Sequence, residues 1–285
     1  MTPSLDALLP PDMARRAEEI GASKAGMDAV TTFVLALLAG AFIALGAVFA
    51  TTVMTGGAGV LPYGVVRLLG GLVFCLGLIL VVVGGAELFT GNALIVMAWA
   101  GGRVTLARLL RNWGIVFAGN AARALGTAAL VYVSNQHAFG GGAVGSTALG
   151  IAHAKVGLGF TQAVALGMLC NALVCLAVWL TFSARSTADR ILAVIFPIAA
   201  FVAAGFEHSV ANMYFVPIGL LIKDLAPPEF WTAIAQAREQ YGALTWSAFL
   251  FRNLLPVTVG NMIGGGVMVG GVYWFVYLRT RAARS

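Results

Sequence analysis

The chain has 285 residues, of which 60% are hydrophobic and 10% are charged, and its mean hydropathy is +0.93. A soluble globular domain carries about 25% charged residues, so this chain has too little polar surface to face water and is expected to lie in lipid. The formal net charge of +6 fits the basic loops of a membrane protein, and nucleic acid is not expected as a partner.

Six apolar stretches follow one another along the chain. Each is long enough to cross a membrane, since a helical span needs about 20 predominantly apolar residues, and lipid requires such a backbone to be helical. The sequence therefore predicts an all-α integral membrane protein with six transmembrane helices. The second and fifth stretches are too long for one straight span. The stretches cover about residues 30–54, 63–100, 110–133, 160–183, 188–222 and 248–279.

The segment before the first span, residues 1–28, is polar and of mixed charge, and it lacks the pattern of a cleaved signal peptide. Pro10 and Pro11 precede a stretch from Asp12 to Lys24 that predicts a short helix. This helix either docks and releases with pH or remains a solvated tail. The membrane domain is expected over residues 29–280, with a short tail at 281–285.

The basic residues predict the orientation. If the N-terminus is cytoplasmic and there are six spans, eleven of the 17 Lys and Arg residues fall on the cytoplasmic side and five on the other, with Arg123 inside a span. Cytoplasmic loops carry the excess of Lys and Arg. Both termini are therefore expected in the cytoplasm.

An internal repeat connects the two halves of the chain. The pattern G-x-E-x4-N occurs at residues 85–92 and again at 205–212, and an R-N pair followed by a G-N pair recurs at identical spacing at 111–120 and 252–261. Because each copy holds three spans, the second copy must be inverted in the membrane, as in many transporters. We expect inverted repeats over about residues 29–135 and 156–280.

Each G-x-E-x4-N segment falls in the middle of an overlong stretch, where a lipid-facing helix would carry Leu or Val. We therefore expect both helices to be broken near the membrane midplane. Non-helical backbone at that depth is tolerated only where it lines a cavity or is buried in protein, and two such breaks bring their loops together at the substrate path. The alternative is a pair of kinked structural helices without a pore.

Ionisable side chains inside spans are functional candidates by default. Glu87 and Glu207 occupy matching repeat positions, which favours a shared structural duty of accepting hydrogen bonds from free N–H groups of the broken helices; proton transfer is the alternative. His208 stands where the first copy has Leu88, so it is a candidate for chemistry unless it is a core histidine bonded to neighbouring backbone. Arg123 completes this set.

The remaining candidates are polar or aromatic residues near the two breaks. Hydrogen-bonding side chains that can line a path are Thr90, Asn92, Asn171 and Asn212. Apolar residues that can form a constriction, although periodicity alone places them in the core, are Phe74, Leu78 and Phe201. The three cysteines lie in apolar helices and no two histidines are three or four residues apart, so neither a metal site nor a cofactor is expected.

Several runs resemble the signatures of the formate/nitrite transporter family. They are GAELFT at 85–90, GFEHSVAN at 205–212, GNMIGGG at 260–266 and CNALVCLAVW at 170–179. The resemblance covers nearly the whole chain. Three further runs are similar to the formate branch in particular, namely LDALLP at 5–10, PPEFWT at 227–232 and the final YW at 273–274.

The resemblance implies an aquaporin-like six-helix protomer and a homopentamer with a pore in each protomer, embedded in the lipid of the bacterial inner membrane. It implies a bidirectional channel for formate and other small monovalent anions, which is not an enzyme. It further implies constrictions on both sides of His208, with the N-terminal segment as a pH-sensitive lid. The outer constriction would be Phe74, Leu78 and Phe201, the inner one Leu88, Thr90 and Val174, and the residues that attract or orient the anion Lys155 and Asn171.

A formate anion that enters an apolar constriction must lose its water, and burying an ion costs several kcal/mol. Histidine at about 6.5 and a carboxylic acid at about 4 differ by roughly 2.5 pKa units, or about 3.5 kcal/mol for proton transfer, so neutralisation competes with passage of the bare anion. Our hypothesis is that Lys155 collects the anion and His208 lends it a proton. Conduction of the bare anion is the open alternative.

Three other functions are weighed against this one. A nitrite or hydrosulfide channel uses the same scaffold, and other short monocarboxylates are further possible substrates. A neutral-solute pore with paired Asn-Pro-Ala loops is disfavoured because neither Asn92 nor Asn212 is followed by proline. An intramembrane enzyme at Glu207 and His208 lacks a nucleophile, a metal set and a cofactor motif.

Overall fold

The computed structural model describes residues 7–282, and this part of the chain is helical without a strand. The twelve helices named here are α1 Pro10–Gly26, α2 Ala29–Met54, α3 Tyr63–Gly84, α4 Val96–Ala100, α5 Leu106–Val133, α6 Ala143–Val156, α7 Phe160–Ser183, α8 Thr187–Ala203, α9 Ser209–Leu225, α10 Pro228–Ala233, α11 Ala248–Tyr277 and α12 Arg279–Ala282. Single turns of 3-10 helix lie at Gly91–Ile95, Gln136–Ala138 and Arg238–Tyr241. The first six residues of the predicted N-terminal segment, and residues 283–285 of the predicted tail, lie outside the described residues.

Five helices within residues 7–282 are long and apolar enough to cross a membrane, namely α2, α3, α5, α7 and α11. Large apolar side chains such as Phe196, Val133 and Phe251 are 80%, 79% and 65% exposed. Soluble monomers rarely expose extended apolar patches, so these faces suit lipid or another apolar protein surface. The chain is an integral membrane protein, as its composition predicts.

The two predicted helix breaks are present. The first overlong stretch divides into α3 and a helical segment from Gly91, and the other divides into α8 and α9, which have 17 residues each. Because neither α8 nor α9 alone has the length of a span, the predicted fifth span is not a single helix here.

Both breaks end their first helix in the same way. Gly85 and Gly205 have φ angles of +74° and +76°, a left-handed conformation that glycine adopts without the steric cost of a Cβ atom. The next residue then donates to a carbonyl five residues back, with Ala86 N to Val81 O at 3.0 Å and Phe206 N to Phe201 O at 3.0 Å. This is the Schellman pattern of a helix end, and it explains why the shared motif opens with glycine.

Helix packing brings the two breaks together. α3 packs against α8, α2 lies against α3 and α5, and α7 lies against α8 and α11. Gly260 and Gly264 of α11 lie so close to α7 that a Cβ atom would overlap the carbonyl oxygens of Val164 and Met168. Glycines four residues apart on one helix permit this close approach.

Two helices differ from the sequence prediction. α1 runs from Pro10 to Gly26, slightly longer than predicted, and it buries Met13 and Ala17 against α4, α7 and the turn at Gly91–Ile95. It is therefore a docked helix, not a solvated tail. α6 lies between the third and fourth apolar stretches, where the sequence predicts no span, because its 14 residues are too few to cross a membrane.

Candidate functional site

Asn120 of α5 holds the loop at the first break. Its Nδ2 donates to the carbonyl oxygens of Glu87, at 3.0 Å, and Ala36, at 2.8 Å, and its Oδ1 accepts from the N–H of Phe89 at 3.0 Å. Unpaired backbone groups in a water-free interior each cost several kcal/mol. One fully buried amide therefore satisfies two backbone groups that the missing helical turn leaves open and joins the loop to α2.

Asn261 of α11 holds the second break in the same way. Its Nδ2 donates to the carbonyl oxygens of Glu207, at 2.9 Å, and Gly167, at 2.8 Å, and its Oδ1 accepts from the N–H of Ser209 at 2.9 Å. The two asparagines belong to the two G-N pairs of the sequence repeat. The repeat thus corresponds to two equivalent sets of contacts.

The carboxylate of Glu87 belongs to a second set of contacts, which we call the Glu87 network. Glu87 Oε1 lies 2.9 Å from Lys24 Nζ, and Oε2 accepts from Asn92 Nδ2 at 2.7 Å. Asn92 Nδ2 also lies 2.9 Å from Asn112 Oδ1, and Asn112 Nδ2 donates to the carbonyl of Lys24 at 3.2 Å. A buried charge is stable only when it is paired and hydrogen-bonded, and this network supplies both.

The Glu207 network repeats this arrangement with Lys155 of α6 in the place of Lys24. Glu207 Oε1 accepts from Lys155 Nζ at 2.8 Å, and Oε2 accepts from Asn212 Nδ2 at 2.7 Å and Asn253 Nδ2 at 3.2 Å. Asn253 Nδ2 donates to the carbonyl of Lys155 at 3.0 Å. Each buried glutamate therefore has one lysine as its counter-charge.

One expectation about the glutamates is wrong. We expected Glu87 and Glu207 to accept hydrogen bonds from backbone N–H groups of the breaks, but their carboxylates accept from lysine and asparagine side chains. The backbone groups are bound by Asn120 and Asn261 instead. The reason is geometric, because each carboxylate points away from its loop toward a lysine on a separate helix.

His208 lies at the start of α9 and is almost fully buried. Its Nδ1 accepts a hydrogen bond from the N–H of Ala211 at 3.0 Å, which makes the imidazole the N-cap of the helix. A neutral imidazole that accepts at Nδ1 carries its proton on Nε2, and Nε2 lies 3.0 Å from Thr90 Oγ1. The ring therefore presents an N–H donor to the loop of the other break.

Aromatic rings surround His208 on one side. The ring of Phe201 stacks on the imidazole with centroids 5.8 Å apart, and Phe74 meets Phe201 edge-on at 5.7 Å. These residues line a cavity of about 50 Å³ that we call the Lys155 cavity. Its lining includes Arg67, Phe74, Lys155, Phe201, Phe206, His208 and Asn212.

A larger cavity of about 230 Å³ lies on the other side of the breaks, and we call it the Lys24 cavity. Its lining includes Arg16, Lys24, Leu78, Glu87, Leu88, Asn92 and Arg190. Leu78 was expected beside Phe74 and Phe201, but it lines this cavity with Leu88. His208 lines the Lys155 cavity, and Thr90 lies two residues after Leu88, which lines the Lys24 cavity. The contact between His208 and Thr90 is therefore where the loops of the two breaks meet.

Two predicted candidates are buried beside this contact. Asn171 Nδ2 donates to the carbonyl of Thr90 at 3.2 Å and to that of Asn261 at 2.6 Å, and Val174 is buried one turn along α7. Among residues 7–282, the Oδ1 of Asn171 and the Oγ of Ser209 are buried without a hydrogen-bond partner. Such atoms are rare in proteins, so they mark this junction as a place where a further polar group can be received.

Other sequence candidates lie elsewhere. Arg123 is on an exposed face of α5, away from both breaks. Within the described residues, no three His, Cys, Asp or Glu side chains form a group that could hold a metal ion. Sequence reasoning missed Lys24 as the partner of Glu87. Lys24 precedes Glu87 by 63 residues whereas Lys155 precedes Glu207 by 52 residues, so the two pairs do not stand out as a repeat.

The comparisons with known proteins agree with one another. Residues 11–275 match the family model described as formate/nitrite transporter. The chain is 48% identical over 274 residues to the formate channel FocA of Escherichia coli (strain K12), covering 96% of both proteins. It is also similar to a solved "pentameric formate channel with formate bound", with 47% identity, a TM-score of 0.84, and coverage of 88% of this chain and 98% of that one. A solved "FNT family ion channel" is 28% identical with a TM-score of 0.77, covering 93% of this chain and 98% of that one.

The buried pair of Lys155 and Glu207 makes a prediction about stability. Removal of one partner of a buried ion pair leaves an uncompensated charge and costs about 3–5 kcal/mol, so Lys155→Met should strongly lower the thermal stability of the purified protein in detergent. Adding Glu207→Gln removes the stranded charge and should restore much of the loss. Arg238→Met serves as the control, because the pair of Arg238 with Asp224 at 3.3 Å is exposed and contributes about 1 kcal/mol or less. A single Lys155→Met variant as stable as the wild type would contradict the assignment of Lys155 as counter-charge.

Proposed function

Because the chain belongs to the formate/nitrite transporter family, we propose that it is a channel that passes formate and other small monovalent anions in both directions across a membrane. The observation that carries this proposal is the similarity, over almost the whole chain, to a formate channel and to a structure with formate bound. The protein acts as a channel and not as an enzyme.

The architecture we propose is a protomer of six transmembrane helices in two inverted repeats, aquaporin-like, with α8 and α9 together forming the fifth span. Both breaks lie near the membrane midplane. The equivalent contacts of Asn120 and Asn261 support this arrangement, as do the two glutamate networks. Five protomers form a homopentamer in the lipid of the bacterial inner membrane, with both termini in the cytoplasm.

The route we propose runs through the junction of the two loops. On the outer side the anion passes Phe74 and Phe201, and on the inner side it passes Leu78, Leu88 and Val174. His208 and Thr90 meet it between these apolar groups, and the unpartnered oxygens of Asn171 and Ser209 lie beside them. At this junction the path therefore offers one titratable group, His208, among apolar and neutral polar side chains.

The chemistry at His208 neutralises the anion for its passage. The Nε2–H bond of the imidazolium breaks as an O–H bond forms on formate, so formic acid and a neutral imidazole result. Formic acid passes the apolar residues and releases the proton to water beyond them, and the ring is recharged from water in a cavity. The resting ring is neutral with its proton on Nε2, and charging it places a proton on Nδ1, which breaks the cap bond from Ala211, worth about 1 kcal/mol. After the transfer to formate the ring keeps the proton on Nδ1, and recharging from water restores the proton on Nε2.

The N-terminal helix forms a lid over the Lys24 cavity in this account. Arg16, Ile20 and Lys24 of α1 line that cavity, and the bond of Lys24 with Glu87 ties α1 to the first break. Residues 1–28 would therefore control access from the cytoplasm.

A flux panel tests the substrate. Purified protein in proteoliposomes is compared for formate, nitrite, hydrosulfide, lactate and glycerol at pH 5.5 and 7.5, about one unit on either side of an ordinary histidine pKa of about 6.5. Formate should move fastest, with a rate that changes with pH. Faster movement of nitrite or hydrosulfide would assign the chain to another branch of the family. Glycerol flux without anion flux would contradict an anion channel.

Substitution of His208 separates its two roles. Asparagine is a good N-cap and can accept the hydrogen bond from Ala211, but it cannot carry a proton to formate. His208→Asn should therefore keep the wild-type thermal stability while formate flux falls by about 10² or more, the usual contribution of general acid catalysis. His153→Asn, on α6 outside the two cavities, is the control. Equal flux with an unchanged pH profile in His208→Asn would rule out proton lending.

A further inference from the structure

We propose that Arg67 is the residue that binds the incoming carboxylate in the Lys155 cavity, in place of Lys155. This inference rests on the proposed function, because it names the group that receives the substrate at one end of the path. The ligand class is a small monocarboxylate that fits a cavity of about 50 Å³. A space this size holds several water-sized groups.

Lys155 is already occupied. Its Nζ lies 2.8 Å from Glu207 Oε1, its side chain is 14% exposed, and it lies 5.4 Å from the ring centre of Phe215. Glu207 needs this charge, because an unpaired carboxylate in the protein interior would be strongly destabilised. The pair is neutral as a whole, so Lys155 has little net attraction left for a second anion.

Arg67 has no such counter-charge. Within residues 7–282, the ion pairs do not include Arg67. Its side chain leaves α3 and reaches α8, where Nη2 donates to the carbonyl of Val202. Arg67 lines the Lys155 cavity, and among the described residues its buried Nε has no hydrogen-bond partner. Arg67 is therefore the unneutralised positive charge of this cavity.

The position of Arg67 suits delivery to His208. Its Nη2 lies 3.6 Å from where a Cβ of Gly205 would be, so the guanidinium lies against the loop that carries His208. A guanidinium has five N–H donors in a planar fork that can bind both oxygens of a carboxylate. A carboxylate held there shares the cavity with Phe201 and His208.

A purely structural role explains only part of this geometry. A cation near the C-terminal carbonyls of α8 is favourable through the helix dipole, which explains the bond to Val202. It does not explain the free Nε or the place of Arg67 on the cavity wall. The other half of the chain offers a counterpart, since Arg190 of α8 lines the Lys24 cavity together with Val82 and Gly85 at the end of α3. Arg67 precedes Gly85 by 18 residues, and Arg190 precedes Gly205 by 15 residues. The two arginines therefore stand at positions that differ by three residues, just under one helical turn.

The test measures formate binding and formate flux on the full chain. Saturation-transfer NMR with formate as the probe gives the affinity of purified protein for wild type, Arg67→Gln, Arg67→Lys and the control Arg252→Gln, whose arginine is exposed on α11. Arg67→Gln should weaken binding about tenfold or more, as expected for the loss of charge-assisted hydrogen bonds. Arg67→Lys should be intermediate because it keeps the charge and loses the fork. Arg252→Gln should match the wild type.

Flux and stability separate the possible outcomes. In proteoliposomes, Arg67→Gln should slow formate flux at low formate and reduce its dependence on ionic strength. If Arg67→Gln lowers the thermal stability but leaves affinity unchanged, Arg67 is only a helix cap and the inference is overturned. Unchanged affinity and unchanged stability would overturn it as well. If the wild type binds formate without transporting it, the proposed function fails, while the comparison of affinities still decides the role of Arg67.

Discussion

The fold depends on the need to satisfy every polar group at two helix breaks inside a protein that has lipid as its solvent. Water cannot pair the open N–H and C=O groups there, so side chains must do so. Asn120 and Asn261 bind the loop backbones, and the two lysines neutralise Glu87 and Glu207. With these contacts in place, each helix can stop and restart without losing its position, which a channel of fixed geometry requires.

This arrangement leaves a junction with few polar groups, and its chemistry is concentrated on His208. The imidazole caps α9 through Nδ1 and faces Thr90 through Nε2, so its resting tautomer is set by the helix it begins. A proton can be added to the Nδ1 of the resting ring only if the hydrogen bond from the N–H of Ala211 breaks. Structure and proton transfer are thus coupled in one side chain, and in our account the surrounding apolar residues make the neutral acid easier to pass than the anion.

Much of this structure could be predicted from the sequence. The length of the apolar stretches predicts membrane helices, and a glycine and a glutamate in the middle of a stretch predict the breaks, because neither residue suits a lipid-facing helix. The partners of the glutamates could not be predicted. Lys24 and Lys155 lie on α1 and α6, which are outside the repeats as we defined them, and α6 is too short for its apolar pattern to signal a membrane element. The role of Asn120 and Asn261 depends on backbone groups, which leave no trace in hydrophobic periodicity.

The central claim, that formate passes as a neutral acid, is tested most directly by the voltage dependence of flux. Proteoliposomes with a potassium diffusion potential can be held at zero and about −100 mV while formate influx and internal pH are recorded. One elementary charge that crosses this potential changes its free energy by about 2.3 kcal/mol. The account predicts the same influx at both potentials, with one proton entering per formate. A flux that falls at negative internal potential, with a current that reverses at the equilibrium potential of formate, would show passage of the bare anion and contradict the account.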